Sequence, residues 1–353
     1  MSRHEASDLH MKAGTPCKFR LKGEIRNIDS TPISHEEIEA MAFEIMAETA
    51  IAAYRDRGAA DFSYQIGGAD RFRINVFRQR GKMSLAVRRV PREILNYEQL
   101  HLPASLSNLT KLEQGLILLA GITGSGKSTT IAAMLEEINR TRACHIVTLE
   151  DPIEFLYEDK KAFVNQREVG IDVENFDSAL KYLMRQDPDV ILIGELRDEE
   201  TFGAAIAAAE TGHLVFGTIH ASSASGTIGR ILELFPEEAR QQIRTALVFS
   251  LQAIVCMKLL PGLQPDIPRV PCCEIMLCNS TIRKLIAAGR DSEIGAVIRN
   301  SYHENMVDFT ESLRVLVEAE QIAVKTAYAA APNPDELKMR LKGISVSSGG
   351  IIG

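Results

Sequence analysis

Two hydrophobic patterns divide the chain. Up to about residue 90, apolar and polar residues alternate: Phe72, Ile74 and Val76 stand between Arg71, Arg73 and Asn75, and after Arg80-Gly81-Lys82 the period of two resumes at Met83, Leu85 and Val87. This spacing predicts an antiparallel hairpin with one apolar face and one arginine-bearing face. Asp61 to Ile66 alternates in the same way through Phe62, Tyr64 and Ile66, and Lys18 to Ile28 reads as extended chain turning at Lys22-Gly23. Between these strands a helix is predicted. Ser34-His35-Glu36-Glu37 has the form of a capping box, and Ile38, Met41, Ala42, Ile45 and Met46 follow on one helical face.

From Gly115 the pattern changes. Continuous apolar runs at Leu116 to Ala120, Ile146 to Leu149, Val190 to Ile193 and Leu214 to Ile219 are separated by longer helical segments. Such runs are parallel strands covered on both faces, so this part is a doubly wound α/β domain. After about Thr281 the chain is helical, with Ile282, Leu285 and Ile286 on one face and Leu313, Leu316 and Val317 on another, and Ser345 to Gly353 reads as a loose tail. The expected organisation is an α+β domain over 1–95, a linker over 96–111, where the pattern lapses after Pro91, and an α/β domain over 112–353 with a helical carboxyl-terminal part.

Composition narrows the functional classes. Hydrophobic residues make up 45% of 353 and charged residues 25%, which suits a soluble globular protein rather than a disordered one. No apolar stretch approaches the roughly 20 clean residues that cross a bilayer, and Met1 to His10 is too polar for a signal peptide. A net charge of -7 argues against general affinity for nucleic acid, which depends on clustered Lys and Arg. With aromatics at 6% and no tryptophan, base-stacking platforms are scarce. The cysteines at 17, 144, 256, 272, 273 and 278 include no Cys-x-x-Cys pair, so they read as reduced thiols of a cytoplasmic protein.

The strongest chemical signal is Gly121-Ile122-Thr123-Gly124-Ser125-Gly126-Lys127-Ser128, a P-loop lying between a strand-like run and the helix-like Thr129 to Asn139. Backbone N–H groups of Gly121, Thr123, Gly124, Ser125, Gly126 and Thr129 are expected to wrap the phosphates of a nucleotide, with Lys127 supplying a cation and Ser128 a ligand for Mg²⁺. Hydrolysis also needs an acid to activate water. Two strands end in acids: Glu150-Asp151-Pro152-Ile153-Glu154 after the first, and Gly194-Glu195 after the second. Both lie where an open parallel sheet places its ligand crevice. Glu195 is the expected water-activating group, and Glu150 and Glu154 are the expected helpers at the metal.

His213 and His220 flank a strand and stand roughly 23 Å apart at 3.3 Å per residue, so they cannot share a metal ion. His220 is level with Glu195 and is placed to sense the γ-phosphate. His213, at the far end, is either a group at a subunit or domain boundary or a structural histidine. For charge neutralisation the large domain offers Arg197 and Arg230, while the hairpin carries Arg71, Arg73, Arg78, Arg80, Arg88 and Arg89. Arginines on a separate domain would make hydrolysis depend on domain closure; the alternative is a solvated polar face.

These residues resemble a known family. Gly121 to Thr130, Glu150 to Glu154, Ile193-Gly194-Glu195-Leu196-Arg197-Asp198 and the His213/His220 segment look like the Walker A, Asp box, Walker B and His box of secretion ATPases, specifically the PilT-like retraction ATPases of type IV pili. Ala6-Ser7-Asp8-Leu9-His10, Arg71 to Phe77 and Val164 to Gly170 resemble further family segments, with only five residues preceding the first, fewer than in most members. The resemblance implies a PAS-like amino-terminal domain and a RecA-like ATPase domain, assembled as a homohexamer. It implies a cytoplasmic motor, peripheral at the inner membrane, acting on a platform protein of the pilus machine, with ATP and Mg²⁺ as cofactors.

By the same resemblance Glu195 is the catalytic glutamate, Glu154 the Asp-box acid, and Arg73 and Arg88 the arginines that reach nucleotide across a domain interface. The family's carboxyl-terminal Ala-Ile-Arg-Asn-Leu-Ile-Arg-Glu motif reads Thr281-Ile282-Arg283-Lys284-Leu285-Ile286-Ala287-Ala288 here, which leaves an accessory, PilU-like paralogue as a second reading. The related type II secretion ATPases carry a tetracysteine metal site that this chain lacks. Outside the family, a nucleic-acid motor on a RecA-like core and a non-catalytic nucleotide-binding adaptor stand as alternatives.

Overall fold

The computed structural model describes residues 1–21, 23–65, 70–90, 93–264 and 267–343. Lys22 of the first predicted turn, Ile66 of the predicted strand, Pro91 and the predicted tail from Ser345 lie outside them. Contacts divide the chain into two units, Met1–Glu93 with Glu154–Tyr157, and Ile94–Ile153 with Glu158–Gly353.

In the smaller unit the described strands are β1 (Asp8–Lys12), β2 (Lys18–Leu21), β3 (Glu24–Asn27), β4 (Ala59–Gln65), β5 (Arg71–Gln79) and β6 (Lys82–Val90). They form an antiparallel sheet in the order β3-β2-β1-β6-β5-β4, packed by α1 (His35–Ile45) and α2 (Glu48–Arg57). The predicted hairpin forms in a register that sets Ile74 opposite Val87 and Val76 opposite Leu85, so the apolar face meets the helices. Its turn uses left-handed backbone at Arg80 and Gly81 (φ 50° and 75°), which matches the twist of the flanking strands.

The capping box closes α1: Ser34 Oγ accepts from the Glu37 N–H at 3.1 Å, and the Glu37 carboxylate accepts from the Ser34 N–H at 2.8 Å. Its buried face is narrower than the sequence pattern suggests. Ile38, Ala42 and Met46 pack inward, whereas Met41 is 40% exposed, because a single layer of sheet needs only the i, i+4, i+8 stripe.

The larger unit alternates strand and helix. Its elements begin with β7 (Gly115–Ala120), α3 (Lys127–Thr141), β8 (His145–Glu150), β9 (Phe163–Glu168), α4 (Phe176–Leu183), β10 (Val190–Ile193), α5 (Glu199–Glu210) and β11 (Leu214–Ile219). They continue through α6 (Ala224–Glu233), α7 (Arg240–Ser250), β12 (Leu251–Pro261) and β13 (Arg269–Leu277). The carboxyl-terminal helices are α8 (Ser280–Ala287), α9 (Ile294–Asn300), α10 (Phe309–Glu318), α11 (Val324–Ala330) and α12 (Pro334–Leu341).

Strand order is β13-β12-β7-β11-β10-β8-β9, parallel throughout except for the antiparallel β12/β13 pair. Every residue of β7, β10 and β11 is buried, which is why these strands read as unbroken apolar runs. Ala246 to Leu260, an apolar stretch in sequence, runs from the end of α7 through most of β12.

Residues 96–111 belong to this unit. They include a 3₁₀ turn at Ala104–Lys111, tied to the P-loop helix because Glu137 accepts hydrogen bonds from Tyr97 Oη (2.8 Å), Ser107 Oγ (2.6 Å) and Thr110 Oγ1 (2.7 Å). The polar residues that made the stretch look like a linker serve as donors to one carboxylate.

Candidate active site

The phosphate cradle is built where β7 turns into α3. The loop is tight because the neighbouring parallel strand runs close beside it: a side chain at Gly121 would place Cβ 2.4 Å from Ser125 Oγ and 2.7 Å from the Met257 carbonyl of β12. Only glycine fits there. Gly124 and Gly126 adopt left-handed backbone (φ 78° and 97°), and Gly126 opens α3 with no side-chain cap. The first amides of that helix, at Lys127, Ser128 and Thr129, therefore have no intrahelical acceptor and carry the positive end of the helix dipole.

Lys127 is 9% exposed, and its Nζ donates to the carbonyls of Gly121 (2.8 Å) and Ile122 (3.2 Å), curling across its own loop. Ser125 Oγ, beneath the loop, is buried without a hydrogen-bond partner among the described residues. An anion-sized cradle with an orphaned hydroxyl, a buried ammonium and a helix N-terminus fits a polyphosphate.

Beside it opens a cavity of about 330 Å³ lined by Leu100, His101, Thr129, Met257, Leu259 and Arg269 among others. Its apolar walls next to the phosphate cradle suit a nucleobase. Apart from Thr129 of α3, no motif announced these residues, because they come from a connecting stretch and from the β12/β13 hairpin.

The acids stand at the carboxyl ends of the neighbouring strands. Glu150 closes β8, buried, and accepts from Thr148 Oγ1 (2.7 Å) and Gln166 Nε2 (3.2 Å). Glu195 follows β10, and His220 follows β11; His220 Nε2 lies 3.3 Å from Glu195 Oε1.

Hydrogen bonds to the backbone lace these strand ends together. The Gly194 N–H donates to Leu149 O (2.8 Å), Thr218 Oγ1 donates to Gly194 O (2.6 Å) and the Leu196 N–H donates to Thr218 O (2.9 Å). The Gly121 N–H donates to Ile219 O at 3.3 Å, which joins the first residue of the P-loop to the residue before His220. Glycine at 194, where many P-loop enzymes carry an acid, has a steric reason: a Cβ there would lie 3.2 Å from Leu149 O and 3.3 Å from Glu150 Cα.

The remaining candidates sit on other elements. His213, counted among the catalytic candidates, is at the opposite end of the buried strand β11, with Nδ1 2.9 Å from Ala208 O at the end of α5. It closes a helix, and the length of a strand separates it from the cradle. Glu154 is exposed and falls in the Glu154–Tyr157 segment that groups with the smaller unit.

Arg73 and Arg88 face each other in register on β5 and β6 of the smaller unit. Arg88 Nε donates to Asp8 Oδ1 at 2.9 Å, and Arg20 approaches the other oxygen at 3.5 Å. Burial opposes ionisation of Asp8, but the hydrogen bonds from Arg88 and Ser7 and the two guanidinium charges outweigh it and hold the carboxyl below its ordinary range. Arg197 stacks over Phe176 with its guanidinium 5.7 Å from the ring centre, and Arg230 pairs with Glu233 at 2.9 Å.

Among the described residues no group of three or more His, Cys, Asp or Glu is placed to hold a metal ion, and none of the helices is long and apolar enough to cross a membrane. The thiols of Cys256, Cys272, Cys273 and Cys278 are pushed up by burial, as expected of small apolar fillers.

A glycine-rich cradle on a parallel sheet, a helix aimed into it and an acid–histidine pair on the adjoining strand ends define a P-loop ATPase with a RecA-like core. The model of the family described as Type II/IV secretion system protein matches residues 1–344, and the chain belongs to that family. It is 39% identical over 334 residues to the type IV pilus retraction ATPase PilT of Pseudomonas aeruginosa, covering 95% of this chain and 96% of that one. To the type IV pilus ATPase PilU of the same organism it is 35% identical over 337 residues, covering 95% and 88%. The crystal structure of the pilus retraction motor PilT with bound ADP superposes with a TM-score of 0.89 at 40% identity, covering 96% of each chain.

Proposed function

We propose that this chain is a motor ATPase that powers type IV pilus retraction, and with it twitching motility. It would work as a homohexamer, cytoplasmic and peripheral at the inner-membrane face of the pilus machine, acting on the platform protein there. The observation that carries this reading is the Glu195–His220 pair, 3.3 Å apart and bonded through the strand ends to the P-loop, in a chain similar over nearly its whole length to a retraction ATPase.

In the reaction the cradle amides and Lys127 hold the β- and γ-phosphates, and Glu195 accepts a proton from the attacking water. His220, against Glu195, orients that carboxylate and registers whether the γ-phosphate is present. When bound, Mg²⁺ neutralises phosphate charge; Ser128 and Glu150 suit its immediate surroundings, with Glu154 as the Asp-box acid. Arg73 and Arg88 would bring positive charge to the nucleotide on domain closure, so that hydrolysis releases the closure and moves the platform.

The departure of Thr281 to Ala288 from the family motif supports a second reading, an accessory ATPase working beside a paralogue.

The test is pilus retraction in cells lacking this protein. Reintroducing the wild-type chain restores retraction and Lys127→Ala does not. Retraction restored fully by Lys127→Ala refutes the motor reading, while restoration only in the presence of a paralogue selects the accessory one. A nucleic-acid motor would instead show salt-dependent stimulation of its ATPase by DNA, which the net charge of -7 does not favour.

A further inference from the structure

The β12/β13 hairpin holds a half-buried acid that the chemistry above does not use. Glu274 lies on β13 opposite Cys256, and its Oε1 accepts the Ala224 N–H at 2.7 Å. Ala224 is the first residue of α6, and only Ala221, Ser222 and Ser223 separate it from His220. Ser223 caps the next part of the same turn, its Oγ accepting the Gly226 N–H at 3.1 Å. Two of the amides that a helix start leaves without acceptors are thus satisfied, one by the helix's own cap and one from a strand 50 residues away in sequence.

A carboxylate is an expensive way to satisfy one amide. Burial pushes the Glu274 carboxyl up, against the pull of the Ala224 hydrogen bond. The strand carrying it is held from behind: the Cys273 N–H donates to Ser312 Oγ (3.1 Å), and Lys258 Nζ on β12 donates to Ala330 O (2.8 Å) and sits 4.4 Å from the centre of the Phe309 ring. Glu274 is therefore a fixed post supported by the carboxyl-terminal helices, and the start of α6 is fastened to it.

We propose that Glu274 is a positioning residue for ATP hydrolysis: by fixing Ala224 it restrains the short connection that sets His220 against Glu195. This rests on the reading of His220 and Glu195 given above. Because the tether runs to the carboxyl-terminal helices, a shift of those helices would reach the γ-phosphate sensor by this route.

The test is ATP turnover by the full-length chain carrying Glu274→Gln, Glu274→Met or Ala224→Pro, each alone and with His220→Ala. Proline removes the donating N–H at the one helical position that tolerates it, so the tether can be cut from either end. Glutamine keeps the acceptor and stays within about threefold of wild type, while Glu274→Met and Ala224→Pro each lower kcat at least about tenfold with KM for ATP nearly unchanged. In the His220→Ala background the same two changes alter kcat less than about twofold, since groups acting through one another are not additive.

Additive losses, a loss carried by KM, or a glutamine variant as impaired as the methionine one would overturn the proposal and leave the site assignment standing. An unaffected His220→Ala enzyme would overturn both.

Discussion

Glu195→Gln separates chemistry from nucleotide binding. The side chain is 39% exposed, and its close polar neighbour among the described residues is His220 Nε2 at 3.3 Å. Glutamine has nearly the same volume, and the backbone bonds that hold this corner belong to Gly194, Leu196 and Thr218, so β10 and its ladder stay as they are. The phosphate cradle is made of loop amides and Lys127, none of which involves this carboxylate.

What disappears is the negative charge that, on the proposed reading, takes a proton from water. General-base assistance contributes about 10² to 10⁴ in rate, and the partial exposure of this group argues for the lower end. A loss of about 10²-fold corresponds to about 2.7 kcal/mol in the barrier. Steady-state phosphate release measures kcat, and titration with a fluorescent nucleotide analogue measures binding. The expected result is kcat reduced about 10²-fold with nucleotide affinity within about threefold of wild type. Full hydrolysis by the Gln variant would refute the assignment of Glu195, and equal losses of turnover and binding would mean that the carboxylate serves the nucleotide site rather than the water.

Gly194→Ala inserts a methyl 3.2 Å from Leu149 O, which must move β10 against β8 by a few tenths of an ångström. Turnover should fall about tenfold through misplacement of Glu195 with little change in melting temperature, and an unaffected kcat would show that the spacing of these strand ends is not critical. Asp8 ionises more readily in the folded chain than in the unfolded one, so its contribution is present above the ordinary carboxylate range and is lost as pH falls through the lowered folded value. Asp8→Asn should thus lower the melting temperature at pH 7, with the gap to wild type closing below about pH 3.9; a gap independent of pH in calorimetry would contradict the assigned ion pairing with Arg88 and Arg20.

The P-loop was legible because its geometry is local. Glycines at 121, 124 and 126, the lysine and the new helix lie within eight residues, and each conformation follows from the residue that adopts it. The β5/β6 hairpin was legible for the same reason, as alternation and a tight turn fix its register. The buried strands β7, β10 and β11 declared themselves as apolar runs between helices, although such runs do not say which strand neighbours which.

Three features were not legible. β9 mixes polar and apolar residues because only part of an edge strand is covered. Residues 96–111 have linker composition until Glu137 gathers their hydroxyls. The β12/β13 pair lies in a region where sequence offers an apolar stretch and no alternation, and it supplies both a wall of the cavity beside the P-loop and Glu274.

The glycine-rich loop, the hairpin with its arginine face and the acids at two strand ends are written in the local order of residues, since short-range sterics and hydrogen bonding act on neighbours in the chain. Folding of the whole domain is what brings His220 Nε2 within 3.3 Å of Glu195 Oε1 and ties Ala224 to Glu274. Those pairings follow from the order of strands in the sheet. That order is chosen by the burial of whole surfaces and not by any local run of residues.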